Sequence, residues 1–516
     1  MKVAIRTDAS LSIGSGHVMR CLALAEALRE AGAQVRFVCR AHPGHMGEQI
    51  AARGFALQLL APGPDGAPDP QAPVHAHLLG AGWEHDADAT VAALRDDAPD
   101  WLVVDHYALD ARWERRLRAL GARMLAIDDL ADRAHDCEVL LDQNYAGSGE
   151  RYAALLGPGC RPLLGPAFAL LRPEFAHARA AAAPRAGAVR RLFIFFGGID
   201  APNLTAVALQ ALQLLANPEL QIDVVVGKDN PHQAEVEALC RALPGCTLHR
   251  QVDRMAAMMA AADIALGAGG VTTWERCCVG LASVIVTIAA NQEPSVRALA
   301  RDGYAIAAGA SGEVDPAGLG ALLAPLLAAP AALRAMAARA AALVDGAGCA
   351  RVAQVLAAPR LTLRRAGAAD VRLYYDWAGD AQVRVQSLNS DPIPFEQHQA
   401  WFERRVASAD SVLLVAELPA RGPVGQVRFD QFEGGWRIGF SLGAPWRGQG
   451  LAAPMLAAAI ECLAHSAPQA RLVAQVKQHN LASSKAFLAL GFDEPAPAID
   501  GVHTYVRNLV SQRGNT

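Results

Sequence analysis

Lysine is nearly missing from this chain: Lys2, Lys228, Lys477 and Lys485 are the only four in 516 residues, and arginine supplies the other positive charge. Charged residues make up 19% of the sequence at a net charge of -4, with the two signs interspersed. With no basic block, nucleic acid is not expected as a partner. The arginine bias and the many alanines follow more simply from a GC-rich genome than from function. No basic region followed by an apolar segment opens the chain, which enters a strand at once over residues 2–8. Long apolar runs are scarce too. The nearest, 316–333, is half alanine and glycine and is interrupted by Pro325 and Pro330, which predicts short buried helices and no membrane partner. The ten cysteines include no C-x-x-C, and the adjacent Cys277 and Cys278 are poorly placed for chelation. Reduced thiols in a cytoplasmic protein are expected.

What is present is an ordinary globular composition, 52% hydrophobic, long enough for several cores. Apolar runs at 3–7, 35–39, 102–105, 124–127 and 139–141 alternate with Ala/Leu-rich helical stretches. They are continuous, as strands buried on both faces of a parallel sheet should be. A Pro/Gly/Asp-rich loop is expected at 62–73, and a helix and hinge at 176–188. A second series follows at 192–196, 222–226, 263–266 and 284–288. After about residue 350 the rhythm changes: strand-like runs at 361–365, 412–417, 424–430, 437–442, 472–476 and 504–507 cluster, with Gly434-Gly435 as a hairpin signal. The expected architecture is α/β: two Rossmann-like lobes, 1–175 and 189–345, followed by an α+β domain at 361–510.

The first βα turn reads Arg6-Thr7-Asp8 … Gly14-Ser15-Gly16-His17-Val18-Met19-Arg20. Glycines here let backbone N–H groups approach a ligand, and the following helix start favours an anion such as a diphosphate. A lone G-x-G also serves tight packing alone, and a histidine at a helix start can be a cap or a surface residue. As an imidazole beside Gly16, His17 is equally a candidate general base near neutral pH.

Arg6-x-Asp8 with Gly-x-Gly-His-x-x-Arg resembles the UDP-sugar hydrolases of pseudaminic acid biosynthesis. The resemblance continues through Asp105-His106-Tyr107, Phe196-Gly197-Gly198-Ile199-Asp200 with Asn203, Gly269-Gly270-Val271-Thr272-Thr273-Trp274-Glu275, and Ala290-Asn291-Gln292, in the family's order over about residues 1–345. It implies a GT-B-like fold shared with two-lobed glycosyltransferases. It also implies release of UDP from a UDP-linked 2,4-diacetamido-2,4,6-trideoxy-L-altrose, by C–O cleavage with inversion. His17 would deprotonate or orient the attacking water, with Asp8 tuning it. Arg6, Asp8, Gly14, Gly16, Arg20, Tyr107, Gly198, Gly270, Thr272, Glu275, Asn291 and Gln292 would line the UDP-sugar site. Glu275 suits ribose hydroxyls, or is a solvated first-turn glutamate; Asn291-Gln292 suits sugar or phosphate oxygens, or is a plain turn; Tyr107 is at a ligand-binding strand end, or is a packed aromatic. UDP leaves readily, so helix starts can stabilise its charge without a strong acid. Asp128-Asp129, His42/His45 and His75/His77 are the only suggestive metal clusters, and no metal is expected.

Trp446-Arg447-Gly448-Gln449-Gly450-Leu451-Ala452 follows a strand and leads into a helix. Backbone amides at such a turn surround a pyrophosphate. With Asn480 … Ser484-Lys485-Ala486-Phe487 … Gly491-Phe492, it resembles the GCN5-related N-acetyltransferases (GNAT) over about residues 361–507. That implies acetyl-CoA bound by Phe440, Ser441, Leu442, Arg447, Gly448, Gln449, Gly450, Leu451, Ala452, Asn480 and Lys485, and direct attack by a neutral amine. Phe487 stands where many relatives carry a proton-donating tyrosine; Tyr505, a serine or water could serve instead, the thiolate could leave unassisted, or this half has lost activity. Residues 424–430 with 438–442 are similar to the acetyltransferases of the same pathway, which acetylate the 4-amino group of the UDP-linked sugar. The combined expectation is a bifunctional enzyme acting on a UDP-linked amino sugar. A UDP-sugar glycosyltransferase with an appended acetyltransferase, and a non-catalytic nucleotide-sugar-binding regulator, are the alternatives.

Overall fold

The computed structural model describes residues 1–509 except 65–68, 146–148, 158, 183–184, 186–187, 359–360, 419–420 and 494–496. The loop expected at 62–73, the hinge at 176–188 and the domain end at 510 fall partly outside these residues. The chain divides into two compact units, Met1–Ala357 and Ala358–Thr516.

The first unit holds two parallel sheets. In chain order the first has β1 (Lys2–Thr7), β2 (Gln34–Arg40), β3 (Ala56–Leu60), β4 (Trp101–Asp105), β5 (Arg123–Ile127), β6 (Val139–Asp142) and β7 (Arg161–Leu164). Their spatial order is β3-β2-β1-β4-β5-β6-β7. The second has β8 (Arg191–Phe195), β9 (Gln221–Val226), β10 (Cys246–Arg250), β11 (Ile264–Ala268), β12 (Ala282–Thr287) and β13 (Ile306–Ala310), ordered β10-β9-β8-β11-β12-β13. In both, strand order reverses beside the first strand: at β1/β4 and at β8/β11. The crevice past the carboxyl ends of such a strand pair is where open α/β sheets bind ligands.

Two helices tie the lobes together. Pro173–Ala181, which overlaps the start of the expected hinge, buries Phe175 among Phe193, Trp274 and Leu281 of the second lobe. Gly348–Ala357 returns to the first lobe and buries Val352 and Leu356 against Val3, Leu22 and Trp101. Each such aliphatic burial is worth roughly 1.5–3 kcal/mol, and Trp101 Nε1 donates to Leu356 O at 2.8 Å. The lobe limits at 175 and 345 therefore each cut off a helix that packs on the other lobe. By length and composition Pro330–Ala357 could cross a membrane. It forms two helices, Pro330–Leu343 and Gly348–Ala357, whose apolar faces enter the two lobe cores.

The second unit is one six-stranded sheet: β14 (Thr362–Arg365), β15 (Ser411–Leu418), β16 (Gly422–Phe432), β17 (Gly435–Leu442), β18 (Arg471–Lys477) and β19 (Val502–Asn508), in that order. All six expected runs are strands. Pairing is antiparallel except β17 with β18. Alternate residues of β15 face opposite cores: Leu413 and Val415 pack with Tyr374 and Phe402, while Val412, Leu414 and Ala416 pack with the Ala452–Ser466 helix.

Candidate functional site

In the first lobe, Gly14 (φ +79°) turns the chain into the Gly16–Glu30 helix. No Cβ-blocking atom lies near Gly14 or Gly16, and Gly16 is exposed. His17, second in the helix, is 8% exposed. Its Nδ1 lies 2.6 Å from Asp105 Oδ1, at the carboxyl end of β4. Arg20, three residues on and so on the same helix face, grips that carboxylate with Nε and Nη2, both at 2.7 Å. Its Nη1 reaches Asp129 at 2.8 and 3.0 Å. Asp129 also accepts from Tyr107 Oη at 2.9 Å and Asn144 Nδ2 at 3.0 Å. The Tyr107 and His17 rings meet edge-on, 4.5 Å between centroids.

Burial opposes the charge on Asp105, but Arg20 and His17 outweigh it and hold the carboxyl well below the usual carboxylate range. Burial and Asp129 push the Tyr107 phenol well above its ordinary value. With a carboxylate on Nδ1, the neutral imidazole carries its proton there and presents a lone pair on Nε2.

Asp8 does not hold His17; Asp105 does. Asp8 is fully buried, with Oδ1 accepting from Arg6 Nη1 and the Arg40 amide, both at 2.6 Å. Arg6 is equally enclosed and also grips Asp86, as does Arg40. Arg20 is enclosed between its two carboxylates. Arg6, Asp8 and Arg20, expected to touch a ligand, therefore build the floor beneath the helix start. Charged groups this deep must be paired, and these are. Of the aspartate pair, Asp128 caps the amides of Leu130 and Ala131, whereas Asp129 joins the Arg20 network. His75 and His77 lie 6.3 Å apart, and His45 Nδ1 accepts from the Gly47 amide. Among the described residues no three His, Cys, Asp or Glu side chains are grouped to hold a metal ion.

In the second lobe, glycine turns leave the adjacent ends of β8 and β11. Gly197 has φ +107° and Gly198 is exposed. A Cβ on Gly227 would sit 2.3 Å from Gly198 O, so that close approach requires glycine. Asp200 caps the Leu204–Leu215 helix, accepting from the Leu204 and Thr205 amides at 3.0 and 2.9 Å. Gln292 packs against Gly269 and Gly270, its Oε1 accepting from the Ile288 amide at 3.1 Å. Thr272 Oγ1 accepts from Arg276 Nη1, and Asn291 is exposed. Glu275 is 9% exposed with Arg172 at 3.5 Å; burial raises its carboxyl despite that partner.

In the second unit, β17 and β18 pair only over Trp436–Ile438, so Gly439 to Leu442 runs on without a partner on the β18 side. That open edge runs along Phe440, Ser441 and Leu442, with the Leu442 carbonyl taken by Arg447 Nε. Gly448 (φ +74°) and Gly450 (φ +72°) then turn the chain, through Leu451, into the Ala452–Ser466 helix. Open backbone amides before a helix start, beside a parted strand pair, fit a pyrophosphate and an extended arm such as those of acetyl-CoA. Arg447 is tied back by Leu442 O, Gln382 and Asp380, at 3.1, 2.9 and 2.8 Å. Trp377, Asp380, Gly443, Trp446 and Arg447 border a cavity of about 320 Å³. Gln449 Nε2 donates to Pro445 O, Asn480 caps its helix through the Ser483 amide, and Lys485 is exposed. Phe487 is buried against Phe440, Phe492 and Tyr505. The alternative phenol, Tyr505, is thus stacked on the very ring that replaces the usual donor.

Sequence reasoning weighed Asp129 only as half of a metal-suggestive pair and left Asn144, Asp86, Arg40 and Asp380 without a role. Asp105 appeared in a motif without an assigned role; its signal is a carboxylate ending a run that reads as a central strand.

Comparison with known proteins agrees with this division. Residues 191–348 match the glycosyltransferase family 28 C-terminal domain, and residues 360–493 the acetyltransferase (GNAT) domain. The UDP-2,4-diacetamido-2,4,6-trideoxy-beta-L-altropyranose hydrolase of Campylobacter jejuni is 22% identical over 307 residues, 59% of this chain and 98% of the hydrolase. An uncharacterized protein of Methanocaldococcus jannaschii is 22% identical over 293 residues, 55% of each chain. The spore coat polysaccharide biosynthesis protein SpsG of Bacillus subtilis is 28% identical over 153 residues, 30% of this chain and 44% of that one. The chain thus spans only about half the length of two of these three relatives. MurG of Acinetobacter baumannii has a similar fold, with TM-score 0.51 and 17% identity over 69% of this chain and 98% of that one. The chain therefore joins a two-lobed α/β unit of GT-B architecture, whose second lobe matches the glycosyltransferase family 28 C-terminal domain, to a unit that matches the acetyltransferase (GNAT) domain.

Proposed function

We propose that this is a bifunctional cytoplasmic enzyme of amino-sugar nucleotide metabolism. The GNAT domain N-acetylates the 4-amino group of a UDP-linked 4-amino-4,6-dideoxy sugar. The two-lobed unit then hydrolyses the resulting UDP-2,4-diacetamido-2,4,6-trideoxy-L-altrose to free sugar and UDP.

The observation that carries the hydrolase half is the His17–Asp105 pair at the β1/β4 reversal. Nε2 of His17 accepts a proton from water as its oxygen attacks the anomeric carbon, and the C–O bond to UDP breaks with inversion. The leaving diphosphate is held by backbone amides at Gly14, Gly16, Gly198 and Gly270, with Thr272, Asn291 and Gln292 beside them and Glu275 toward the ribose. Arg6, Asp8, Arg20 and Tyr107 act beneath this surface by fixing its shape. The likeness to the Campylobacter hydrolase over nearly that enzyme's whole length supports the substrate. In the GNAT domain, acetyl-CoA supplies the acetyl group; the free edge at Phe440, Ser441 and Leu442 holds its extended arm, and Gly448 to Ala452 its pyrophosphate.

The test is to supply acetyl-CoA and the UDP-linked 4-amino sugar and follow products by mass spectrometry. Acetylation followed by UDP release is expected; no acetylation, or hydrolysis indifferent to it, defeats the ordered scheme. The family 28 match favours one second reading, transfer of the sugar to an acceptor other than water. Rapid UDP release without an acceptor decides against that reading.

A further inference from the structure

A second histidine stands at the same sheet edge as His17. His42 follows β2, next to β1, and its Nε2 lies 3.6 Å from Asp8 Oδ2. That oxygen is the one Asp8 keeps free, since Oδ1 is taken by Arg6 and the Arg40 amide. His106 Nε2 faces it from the other side at 3.4 Å. His106 Nδ1 accepts the Ala108 amide at 3.1 Å, so its neutral ring carries the proton on Nε2. That tautomer puts an N–H on the nitrogen nearest Asp8 and unsuits His106 as a metal ligand, whose second nitrogen ordinarily donates outward. Burial, opposed by Asp8, lowers its pKa to about 4, which keeps it neutral.

Around His42 the charges balance: Asp8 and Asp86 face Arg6 and Arg40. Asp8 Oδ2 and His42 Nε2 are both buried and have no closer partner than each other and His106. Yet the His42 side chain is 14% exposed, whereas that of His106 is 3% exposed. The imidazole lies against Gly80 (φ +67°), where a Cβ would come within 2.5 Å of its Cε1. The ring's Nε2 edge thus lies near Asp8 and its Cε1–Nδ1 edge along Gly80, while part of the side chain still reaches the surface.

Resting on the hydrolase reading above, we infer that His42 is a ligand-facing specificity residue of the first lobe: with its Nε2 edge turned toward Asp8, its Nδ1 accepts a hydrogen bond from an acetamido N–H or hydroxyl of the sugar. A neutral Nδ1 lone pair selects a hydrogen-bond donor, so it serves the sugar and not the diphosphate.

The test compares binding of UDP and of UDP-2,4-diacetamido-2,4,6-trideoxy-L-altrose to the full chain by calorimetry. His17→Ala is the background throughout, so that turnover does not interfere. Adding His42→Phe, which keeps an aromatic ring without the acceptor, should weaken the UDP-sugar roughly threefold to tenfold, the size of one neutral hydrogen bond, and leave UDP unchanged. Gly80→Ala, which displaces the ring without deleting it, should do the same in direction. Equal affinity for the UDP-sugar in a folded His42→Phe protein overturns the inference. So does a parallel loss of UDP affinity and of Tm, which would mark His42 as structural. A His17→Ala parent that fails to bind this UDP-sugar would sink the hydrolase reading, and this inference with it.

Discussion

Replacing Asp105 by Asn tests the base assignment most directly. Asp105 accepts from His17 at 2.6 Å and from Arg20 twice at 2.7 Å, all buried. Asn keeps one acceptor and puts an NH₂ where the other oxygen was. An NH₂ at Oδ1 faces Nδ1 of His17 and forces that nitrogen to become the acceptor, moving the proton to Nε2 and removing the lone pair that takes the proton from water. At Oδ2 it faces the Nε–H of Arg20, a donor against a donor. Either way Arg20 loses part of its buried counter-charge, which costs about 3–5 kcal/mol of stability. Loss of a positioned general base lowers the rate roughly 10²- to 10⁴-fold. The assay is UDP release from the diacetamido UDP-sugar without acceptor, alongside the urea midpoint. Asp129→Asn is the control: it also weakens Arg20, and Tyr107, but leaves the His17 contact in place, so its stability should fall while its rate falls much less. A folded Asp105→Asn enzyme within threefold of the parent rate would refute the assignment of His17 as a base fixed by this carboxylate.

Three further outcomes are expected. His17→Ala should cut UDP release by roughly 10²-fold or more with UDP affinity, measured by calorimetry, unchanged. Gly450→Ala places a side chain at φ +72°, straining the turn by about 1–2 kcal/mol; the KM for acetyl-CoA should rise severalfold while UDP release is untouched. Burial acts to lower the pKa of His135, but Asp128 and Glu114 outweigh it and lift it to about 9. Its folded pKa thus exceeds its unfolded one, so the stability it contributes is complete below about pH 6.5 and lost as pH rises through about 9. Unfolding free energies from urea titrations at pH 6 and 9.5 should differ by up to about 3 kcal/mol, and His135→Gln should abolish that step.

The strands visible from sequence and those that were not divide by position. In both parallel sheets the interior strands are continuous buried apolar runs. The four without a sequence signal, β3, β7, β10 and β13, are the sheet edges, where residues such as Gln58, Arg161 and Thr247 meet solvent. An edge strand buries too little to write a continuous apolar run. In the second unit every strand was legible, because antiparallel pairing leaves alternation or hairpin glycines in the sequence.

The site divides along the same line. The glycine turns, His17, the Arg447-to-Ala452 loop and the substitution at Phe487 were fixed by local order, because backbone approach at a helix start depends on neighbours in sequence. Which carboxylate serves which base was decided only by the fold. Asp8, nine residues from His17, faces Arg6 and His42, while Asp105, 88 residues away, takes the imidazole. The β1/β4 pairing sets that choice by laying two strand ends side by side, a relation that no local spacing encodes. Arg6, Asp8 and Arg20 read alike as ligand contacts in a motif beside a glycine turn. Only three-dimensional packing shows them enclosed, because burial depends on what the distant strands and helices lay over them.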